Sequence, residues 1–175
     1  MSKYLPLPFL LFLTGCLTGP PAGLTAVDGF ESTRYLGTWY EIARLDHSFE
    51  RGLQNVTAEY GEGENGTITV KNRGYDPEKE AWDEVVGKAK FAGDPTAGRL
   101  KVSFFGPFYG GYNIIALDKE NYQYAMVIGP TRKYFWILAR TPELDASIYD
   151  ALIEQAREAG VAVDKLIEVS HQPVP

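Results

Sequence analysis

Few side chains in this chain could bind a metal ion or act as a catalytic nucleophile. Cys16 is the only cysteine, and His47 and His171 are the only histidines. A single thiol has no disulfide partner within one chain, and a protein metal site needs several converging ligands. We therefore predict no metal site, no cofactor and no internal disulfide.

Carboxylates are the remaining candidates for proton transfer, which requires an acid or base held beside the reacting group. Most neighbouring acids, such as Asp83 with Glu84, fall in expected turns or on outward-facing strand positions. Glu41 is the exception, because it shares strand parity with Trp39. No glycine-rich phosphate loop, nucleophile elbow or triad spacing occurs. The sequence predicts no catalytic residue, and an enzyme that uses Glu41 on a bound hydrophobic substrate is the alternative.

The composition indicates one folded domain that does not bind nucleic acid. With 175 residues, of which 45% are hydrophobic and 23% charged, the chain can bury a sizeable core. The net charge of −6 argues against a nucleic-acid partner, because phosphate backbones require clustered lysine and arginine. Aromatic residues make up 13% of the chain, and their side chains can line a cavity as well as fill a core.

The N-terminus has the pattern of an export signal. Residues 4–13 follow one lysine and form a mostly apolar run, too short to span about 30 Å of hydrocarbon as a helix. The next residues, Leu13-Thr14-Gly15-Cys16, resemble the lipobox of bacterial lipoproteins, in which the cysteine is lipidated and becomes the new N-terminus. The resemblance implies a membrane anchor at Cys16. Leu17, where aspartate would retain the protein at the inner membrane, implies the periplasmic face of the outer membrane.

These assignments divide the chain into three parts. Residues 1–15 are predicted to be a lipoprotein signal peptide, 16–27 a lipidated tether, and 28–175 the folded domain. Glycine and proline between residues 17 and 24 predict that the tether is flexible.

Short runs of alternating apolar residues recur about every ten residues from Gly37 onward. Turn residues separate these runs, a pattern typical of an antiparallel all-β barrel or sandwich. Every connection is short enough for consecutive strands to pair. The eight predicted strands span residues 38–46, 54–61, 66–75, 82–92, 98–105, 110–118, 122–129 and 134–140.

A single amphipathic helix is expected after the last of these strands. Thr141 with Pro142 resembles an N-cap followed by proline at the first helical position. Apolar residues then recur every fourth position, and Gly160 marks the end. Because one helix cannot bury its apolar stripe alone, we expect it to pack on the outside of the barrel. A further strand-like run covers residues 165–169.

Alternation also predicts which side chains point into the barrel. On the third strand, Val70 and Asn72 share one face while Lys71 and Arg73 share the other. A register slip by one residue would turn these cations inward, so the assignment is well determined. The inward positions that we predict to bind ligand are Ala58, Tyr60, Val70, Asn72, Val85, Val102, Phe104, Tyr112, Ile114, Trp136 and Leu138.

Three motifs, in order, resemble the lipocalin family. Gly37-Thr38-Trp39-Tyr40 matches the motif that opens lipocalin barrels, residues 121–125 are a loose counterpart of the second motif, and Arg140 supplies the arginine of the third. The runs at 44–53 and 102–113 are similar to the bacterial, apolipoprotein D-like branch. The resemblance covers about residues 27–172. It implies an eight-stranded up-and-down barrel with one C-terminal helix packed outside.

The resemblance assigns structural roles to four motif residues, Gly37, Trp39, Tyr40 and Arg140. Trp39 would plug the closed end of the barrel, and Arg140 would lie across its indole as a cation–π partner. We assign these residues no contact with ligand.

The family also implies a function, which is to hold a fatty acid or lysophospholipid in an apolar calyx. Such a protein would bind, store or transport its ligand and catalyse nothing. A structural lipoprotein whose barrel is filled by side chains is another alternative. The aromatic loop between Phe104 and Tyr112 has two interpretations, as the mouth of the pocket or as part of a homodimer interface.

Overall fold

The computed structural model of the protein describes residues 18–174, and its main feature is a closed antiparallel barrel. Eight strands follow one another around the barrel, and it closes because the first strand pairs with both the second and the eighth. The strands are β1 (Gly37–Arg44), β2 (Gln54–Glu62), β3 (Ile68–Asp76), β4 (Ala81–Phe91), β5 (Arg99–Ser103), β6 (Gly110–Leu117), β7 (Tyr124–Ile128) and β8 (Phe135–Ala139).

This architecture confirms the predicted fold class and all eight strands, whose ends differ from the expected ones by no more than two residues. The register is the one that the alternation requires. Val70 faces Gly87 across β3 and β4, and Asn72 faces Val85. Val85 is partly buried inside, whereas Val86 is 55% exposed outside.

A ninth strand, β9 (Ile167–Glu168), lies within the predicted run at 165–169 and pairs with the end of β1. The strands β1 and β2 pair only near Gly37–Tyr40, so their other ends diverge. The C-terminal segment fills this gap. Val169 donates a backbone hydrogen bond to Ile42, and Asn55 donates one to Ser170.

Two α-helices are present within residues 18–174, and the sequence predicted one of them. Helix α1 (Ser32–Tyr35) lies directly before β1 and was not expected. Helix α2 (Ala146–Glu158) is the predicted helix, and it ends before Gly160, which has a left-handed φ of 77°. Of the residues the structure describes, none belongs to a helix long and apolar enough to cross a membrane.

The predicted N-cap at Thr141 was wrong by four residues. The cap is Asp145, whose carboxylate accepts a hydrogen bond from the backbone N–H of Ser147 at 2.8 Å. The hydroxyl of Thr141 instead donates to the carbonyl of Glu143 at 2.6 Å, which closes a local turn. Aspartate and threonine are both favourable N-cap residues. In this structure the helix begins after Asp145, so Asp145 and not Thr141 is the cap.

Helix α2 packs outside the barrel, as predicted. Leu152 and Ala156 are fully buried against the outer faces of β1, β7 and β8. This cluster also contains Phe135 and Ile137. Helix α2 covers the outer faces of these strands, so apolar side chains are buried there as well as inside the barrel. For this reason the strand sequences are apolar on both faces.

Residues 18–27 lie against the barrel, although the sequence predicted a flexible tether over 17–24. The carbonyl of Thr18 accepts a hydrogen bond from Asn113 Nδ2 at 3.1 Å, and that of Ala22 accepts one from Arg132 at 2.9 Å. Val27 then donates a backbone hydrogen bond to the carbonyl of Ile114 and accepts one from the N–H of Gly98. Glycine and proline here permit close packing rather than mobility.

One end of the barrel is closed by residues 27–39. Trp39 is fully buried, and its indole N–H donates to the carbonyl of Tyr35 at 2.8 Å. The rings of Tyr35 and Trp39 stack at 4.6 Å, and Phe30 packs edge-on against Tyr35 at 5.3 Å. The β1–β2 and β5–β6 loops lie at the opposite end of the barrel.

Candidate functional site

The barrel encloses a cavity of about 800 Å³ that opens at the end opposite Trp39. Most of the surrounding side-chain surface is apolar, and this volume lies in the range of sites for small ligands. A barrel filled by its own side chains is therefore excluded. Ten of the eleven predicted positions line the cavity: Ala58, Tyr60, Val70, Asn72, Val85, Val102, Phe104, Tyr112, Trp136 and Leu138.

Ile114 does not line the cavity, in contrast to the ten other predicted positions. Its side chain is fully buried in the core of the closed half. Val27 lies directly beside this residue, because its backbone N–H donates a hydrogen bond to the Ile114 carbonyl. The alternation places Ile114 inside correctly, but the depth at which the cavity stops depends on a segment distant in sequence.

The shape of the cavity wall depends on Gly87. A Cβ atom at this position would come within 2.5 Å of the carbonyl oxygen of Ser103 and 2.6 Å of the Phe104 ring. The glycine therefore lets the Phe104 ring lie over strand β4. The ring forms part of the wall instead of projecting across the cavity.

Three tyrosine hydroxyls meet at the floor of the cavity. The hydroxyl of Tyr112 lies 2.8 Å from that of Tyr35 and 2.7 Å from that of Tyr60. Burial raises the pKa of Tyr60 above its ordinary value, and it raises the pKa of Tyr112 and Tyr35 as well. The floor is therefore polar but uncharged, and each hydroxyl is already engaged with a neighbour.

A buried charged cluster lies beside the cavity nearer its mouth. Arg44 donates to Glu41 Oε1 at 2.7 Å and to the carbonyl of Glu50 at 2.9 Å. On the other side, Glu50 Oε2 accepts from the indole N–H of Trp136 at 3.1 Å and lies 3.0 Å from His47 Nε2. Both carboxyl groups border the cavity, and both are almost completely buried.

The two carboxyl groups differ in their pKa. Burial raises the pKa of Glu41 well above its ordinary value, and the charge of Glu50 raises it further, against the opposing effect of Arg44. Burial acts in the same direction on Glu50, but the hydrogen bond and charge of His47, together with Trp136, outweigh it and lower the pKa. The two carboxyl groups therefore titrate as a coupled pair, in which Glu41 is protonated more readily than Glu50.

The sequence named Glu41 only as the candidate for an enzymatic alternative and gave Glu50 no role. Glu50 lies in the β1–β2 loop, where no periodicity indicates which way a side chain points. Within residues 18–174 no group of three or more metal-ligating side chains occurs. The predicted lipidation site, Cys16, lies outside the described residues.

The structural motif residues lie at the closed end and on the outer surface. Arg140 Cζ is 4.1 Å from the centroid of the Trp39 ring, so the predicted cation–π contact is present. Gly37 has a left-handed φ of 93°, which side chains rarely adopt. Tyr40 packs edge-on against His171 at 5.3 Å. None of the four lines the cavity.

Aromatic side chains surround the open mouth. Phe49 is 59% exposed, Phe105 is 78% exposed and Phe108 is 80% exposed, and all three border the cavity. Phe105 and Phe108 lie in the aromatic loop that the sequence singled out, whereas Phe49 lies in the β1–β2 loop. The two interpretations of this loop were the pocket mouth and a dimer interface. The structure shows that it borders the mouth.

A closed eight-stranded barrel with an apolar, ligand-sized cavity and one helix packed outside is the architecture of a lipocalin. The chain belongs to this family, since the model of the lipocalin-like domain matches residues 30–171. Among solved structures, insecticyanin of the tobacco hornworm Manduca sexta superposes with a TM-score of 0.70 at 20% identity, over 88% of this chain and 87% of that one. At this identity the likeness concerns the fold alone.

Bacterial relatives are much more similar in sequence. The chain is 55% identical over 150 residues to the outer membrane lipoprotein Blc of Citrobacter freundii, covering 86% of this chain and 84% of that protein. It is 53% identical over 162 residues to the protein of the same name from Vibrio cholerae, covering 93% and 94%. Mouse apolipoprotein D is 32% identical over 157 residues, covering 85% and 80%. The predicted resemblance to the bacterial branch of the family is therefore confirmed.

Proposed function

We propose that this protein is a membrane-anchored lipocalin that binds a fatty acid or a lysophospholipid in its cavity and stores or transports it. The observation that carries the proposal is the open, apolar cavity of about 800 Å³ inside a rigid barrel. Each methylene group moved from water into such a cavity contributes about 0.8 kcal/mol. Burial of a single acyl chain therefore contributes a large favourable free energy of binding. The polar end of the ligand can remain at the mouth.

The polar groups of the cavity favour an amphipathic ligand. The lower part offers apolar side chains such as Val70, Val102 and Leu138. Charged residues such as Glu41, Glu50 and Asp83 also border the cavity. An acyl chain would occupy the lower part, and a carboxylate or phosphate-containing headgroup would lie near the mouth, in contact with water.

The residues around the cavity support binding rather than catalysis. The carboxyl groups of Glu41 and Glu50 are held by Arg44, His47 and Trp136 within the wall. The tyrosine hydroxyls at the floor are bonded to one another. We assign none of these groups to a reaction, and we propose that the protein is not an enzyme.

We further propose that Cys16 carries the membrane anchor. The lipobox pattern at residues 13–16 and Leu17 support acylation after removal of residues 1–15 and sorting to the outer membrane. The printed names of the bacterial relatives, which are outer membrane lipoproteins, support the same location. The mass of the N-terminal peptide from purified protein tests this step. An unmodified Cys16 thiol, or a chain that still contains residues 1–15, would contradict it.

Two neighbouring valines allow a test of the cavity. Val85 lines the cavity, whereas Val86 is 55% exposed on the outside of the same strand. We expect Val85→Trp to weaken binding of a fluorescent fatty acid and of lysophosphatidylcholine at least tenfold, because the indole occupies the space of the acyl chain. Val86→Trp is the matched control and should bind like the wild type. Equal affinity in both variants, or no binding by the wild type, would overturn the proposal.

A further inference from the structure

The three tyrosine hydroxyls at the floor of the cavity carry one O–H donor more than they use among themselves. Tyr112 contacts Tyr35 at 2.8 Å and Tyr60 at 2.7 Å, and within residues 18–174 these hydroxyls form no other hydrogen bond. A hydrogen bond between two hydroxyls uses one proton, so two contacts use two of the three protons. Burial raises the pKa of all three phenols, so each of them keeps its proton. One O–H donor is therefore left without an acceptor in the described part of the chain.

The surroundings of the three rings indicate where the unused donor lies. Tyr35 is almost completely buried, does not border the cavity, and packs against Trp39 and Phe30. A donor left unpaired in such an apolar core is costly, so the proton of Tyr35 is best used in the hydrogen bond to Tyr112. The unused donor then belongs to Tyr60 or Tyr112, and both of these residues border the cavity.

A second unpaired polar group borders the same cavity. The Oδ1 atom of Asn72 is buried and has no hydrogen-bond partner among the described residues. Asn72 lies two residues along β3 from Val70, which pairs with Tyr60 on β2. Such diagonal neighbours are about 7–8 Å apart, so Asn72 and Tyr60 lie at adjacent levels of the wall. The inner part of the cavity thus offers one donor and one acceptor among apolar side chains such as Val102 and Leu138.

A hydroxyl group is the ligand group that suits both atoms, because its oxygen accepts a hydrogen bond and its proton donates one. A methyl group at this depth would leave the donor and the acceptor unpaired. A carboxylate would be a buried charge, which costs far more than a buried hydroxyl. Among the described residues, Arg73 is the only cationic one that borders the cavity, and it is exposed and lies over the Trp82 ring.

We propose that the cavity selects acyl lipids that carry a hydroxyl group at the inner end of the chain. This hydroxyl accepts a hydrogen bond from Tyr60 or Tyr112 and donates one to Asn72. The headgroup stays at the mouth, as in the proposed function, on which this inference rests. A chain that ends in a methyl group is bound through apolar contacts alone, whereas the hydroxylated chain also pairs the polar atoms of the floor.

The test compares two lysophosphatidylcholines that differ only at the chain end, one with a palmitoyl chain and one with a 16-hydroxypalmitoyl chain. The large zwitterionic headgroup keeps both ligands in the same orientation. Titration calorimetry below the concentrations at which the ligands form micelles gives the ratio of the two affinities. We expect the wild type to bind the hydroxylated ligand at least as tightly as the palmitoyl ligand. An ordinary apolar cavity would bind it about tenfold more weakly, because the hydroxyl would be buried without a partner.

The double variant Tyr60→Phe/Tyr112→Phe removes both hydroxyls that border the cavity and keeps the rings. A single substitution would not suffice, because the two hydroxyls that remain would still have an unused proton. We expect the double variant to bind the palmitoyl ligand and to shift the affinity ratio about tenfold toward it. Tyr122→Phe is the matched control. Tyr122 is buried and its hydroxyl accepts from the Glu31 N–H at 3.0 Å, but it does not border the cavity, so the ratio should stay that of the wild type.

The wild-type measurement separates this inference from the proposed function. If the wild type binds neither ligand, lipid binding is contradicted and the selectivity fails with it. If it binds the palmitoyl ligand but binds the hydroxylated one more weakly, lipid binding stands and the selectivity is overturned, whether or not the variants fold. The same ratio in the wild type and in the double variant would also overturn it, since the tyrosine hydroxyls would then contribute nothing to the choice of ligand.

Discussion

The guanidinium of Arg140 lies across the indole of Trp39, with Cζ 4.1 Å from the ring centroid. The same group donates hydrogen bonds to the carbonyls of Arg34 at 2.7 Å, Thr38 at 3.0 Å and Tyr122 at 3.2 Å. It therefore joins helix α1, the start of β1 and the loop before β7 at the closed end. The cavity lies on the other side of Trp39, so this contact concerns stability and not ligand.

Arg140→Ala should lower the free energy of unfolding by about 2–4 kcal/mol, because it removes charge-assisted hydrogen bonds together with a cation–π contact. Denaturant unfolding measures the loss, and the affinity for a fatty acid should stay within about twofold. The matched control is Arg73→Ala, since Arg73 lies 3.9 Å over the Trp82 ring but is exposed at the other end. This variant should lose about 1 kcal/mol or less. Similar losses in both variants would contradict the special role of Arg140.

Tyr112→Phe tests the hydrogen-bonded floor of the cavity. The variant leaves the buried hydroxyls of Tyr35 and Tyr60 without their shared partner, and we expect it to be less stable by about 1–3 kcal/mol. Thermal unfolding measures the change. Tyr109→Phe is the control, because Tyr109 lies in the β5–β6 loop and surface changes of this kind stay within about 0.5 kcal/mol. A Tyr112→Phe protein as stable as the wild type would show that the network contributes nothing.

The barrel could be predicted from the sequence because the information it needs is local. Lys71 and Arg73 alternate with Val70 and Asn72, and a charged side chain placed inward costs several kcal/mol. Each strand therefore carries its own orientation. Ten of the eleven inward residues chosen in this way line the cavity, although whether they contact a ligand stays a prediction.

The depth of the cavity, the position of Glu50 and the docking of residues 18–27 could not be predicted, because each depends on contacts between residues distant in sequence. Ile114 lies below the cavity since Val27, 87 positions earlier, pairs with its backbone. Glu50 enters the wall because Arg44 and Trp136 hold its loop inward, and a loop has no periodicity to reveal this. The docking of residues 18–27 is of the same kind. Glycine and proline look identical in a flexible tether and in a closely packed segment.

Glu41 should make the fold less stable as the pH rises. Its pKa is raised above the ordinary value of 4.5 by burial and by the charge of Glu50, so the folded chain holds a proton that the unfolded chain releases. The contribution of Glu41 to the free energy of unfolding is fully present below pH 4.5. It is lost as the pH rises through the higher pKa that Glu41 has in the folded chain. Glu50 acts in the opposite sense, because its pKa is lowered and its contribution is lost in acid.

Glu41→Gln removes the first of these two effects while keeping an oxygen for Arg44. Urea unfolding gives the free energy of unfolding of the variant and of the wild type at each pH. The difference, variant minus wild type, should be more positive at pH 8 than at pH 5. Glu59→Gln is the control, since Glu59 forms an exposed ion pair with Lys71, which contributes little. A difference between Glu41→Gln and the wild type that is the same at both pH values would mean that Glu41 ionises as it does in the unfolded chain.

Gly111→Ala should release the N-terminal segment without damaging the barrel. The added Cβ would lie 2.2 Å from the carbonyl oxygen of Thr18, whereas a Cβ at Gly110 has no neighbour nearer than 4.0 Å. Strand geometry tolerates alanine at both positions, so Gly110→Ala is the matched control. Hydrogen exchange at the amide of Leu24, which is bonded to Pro21, should accelerate in Gly111→Ala alone. Unchanged exchange at this amide would show that the contact between Gly111 and Thr18 does not hold the segment in place.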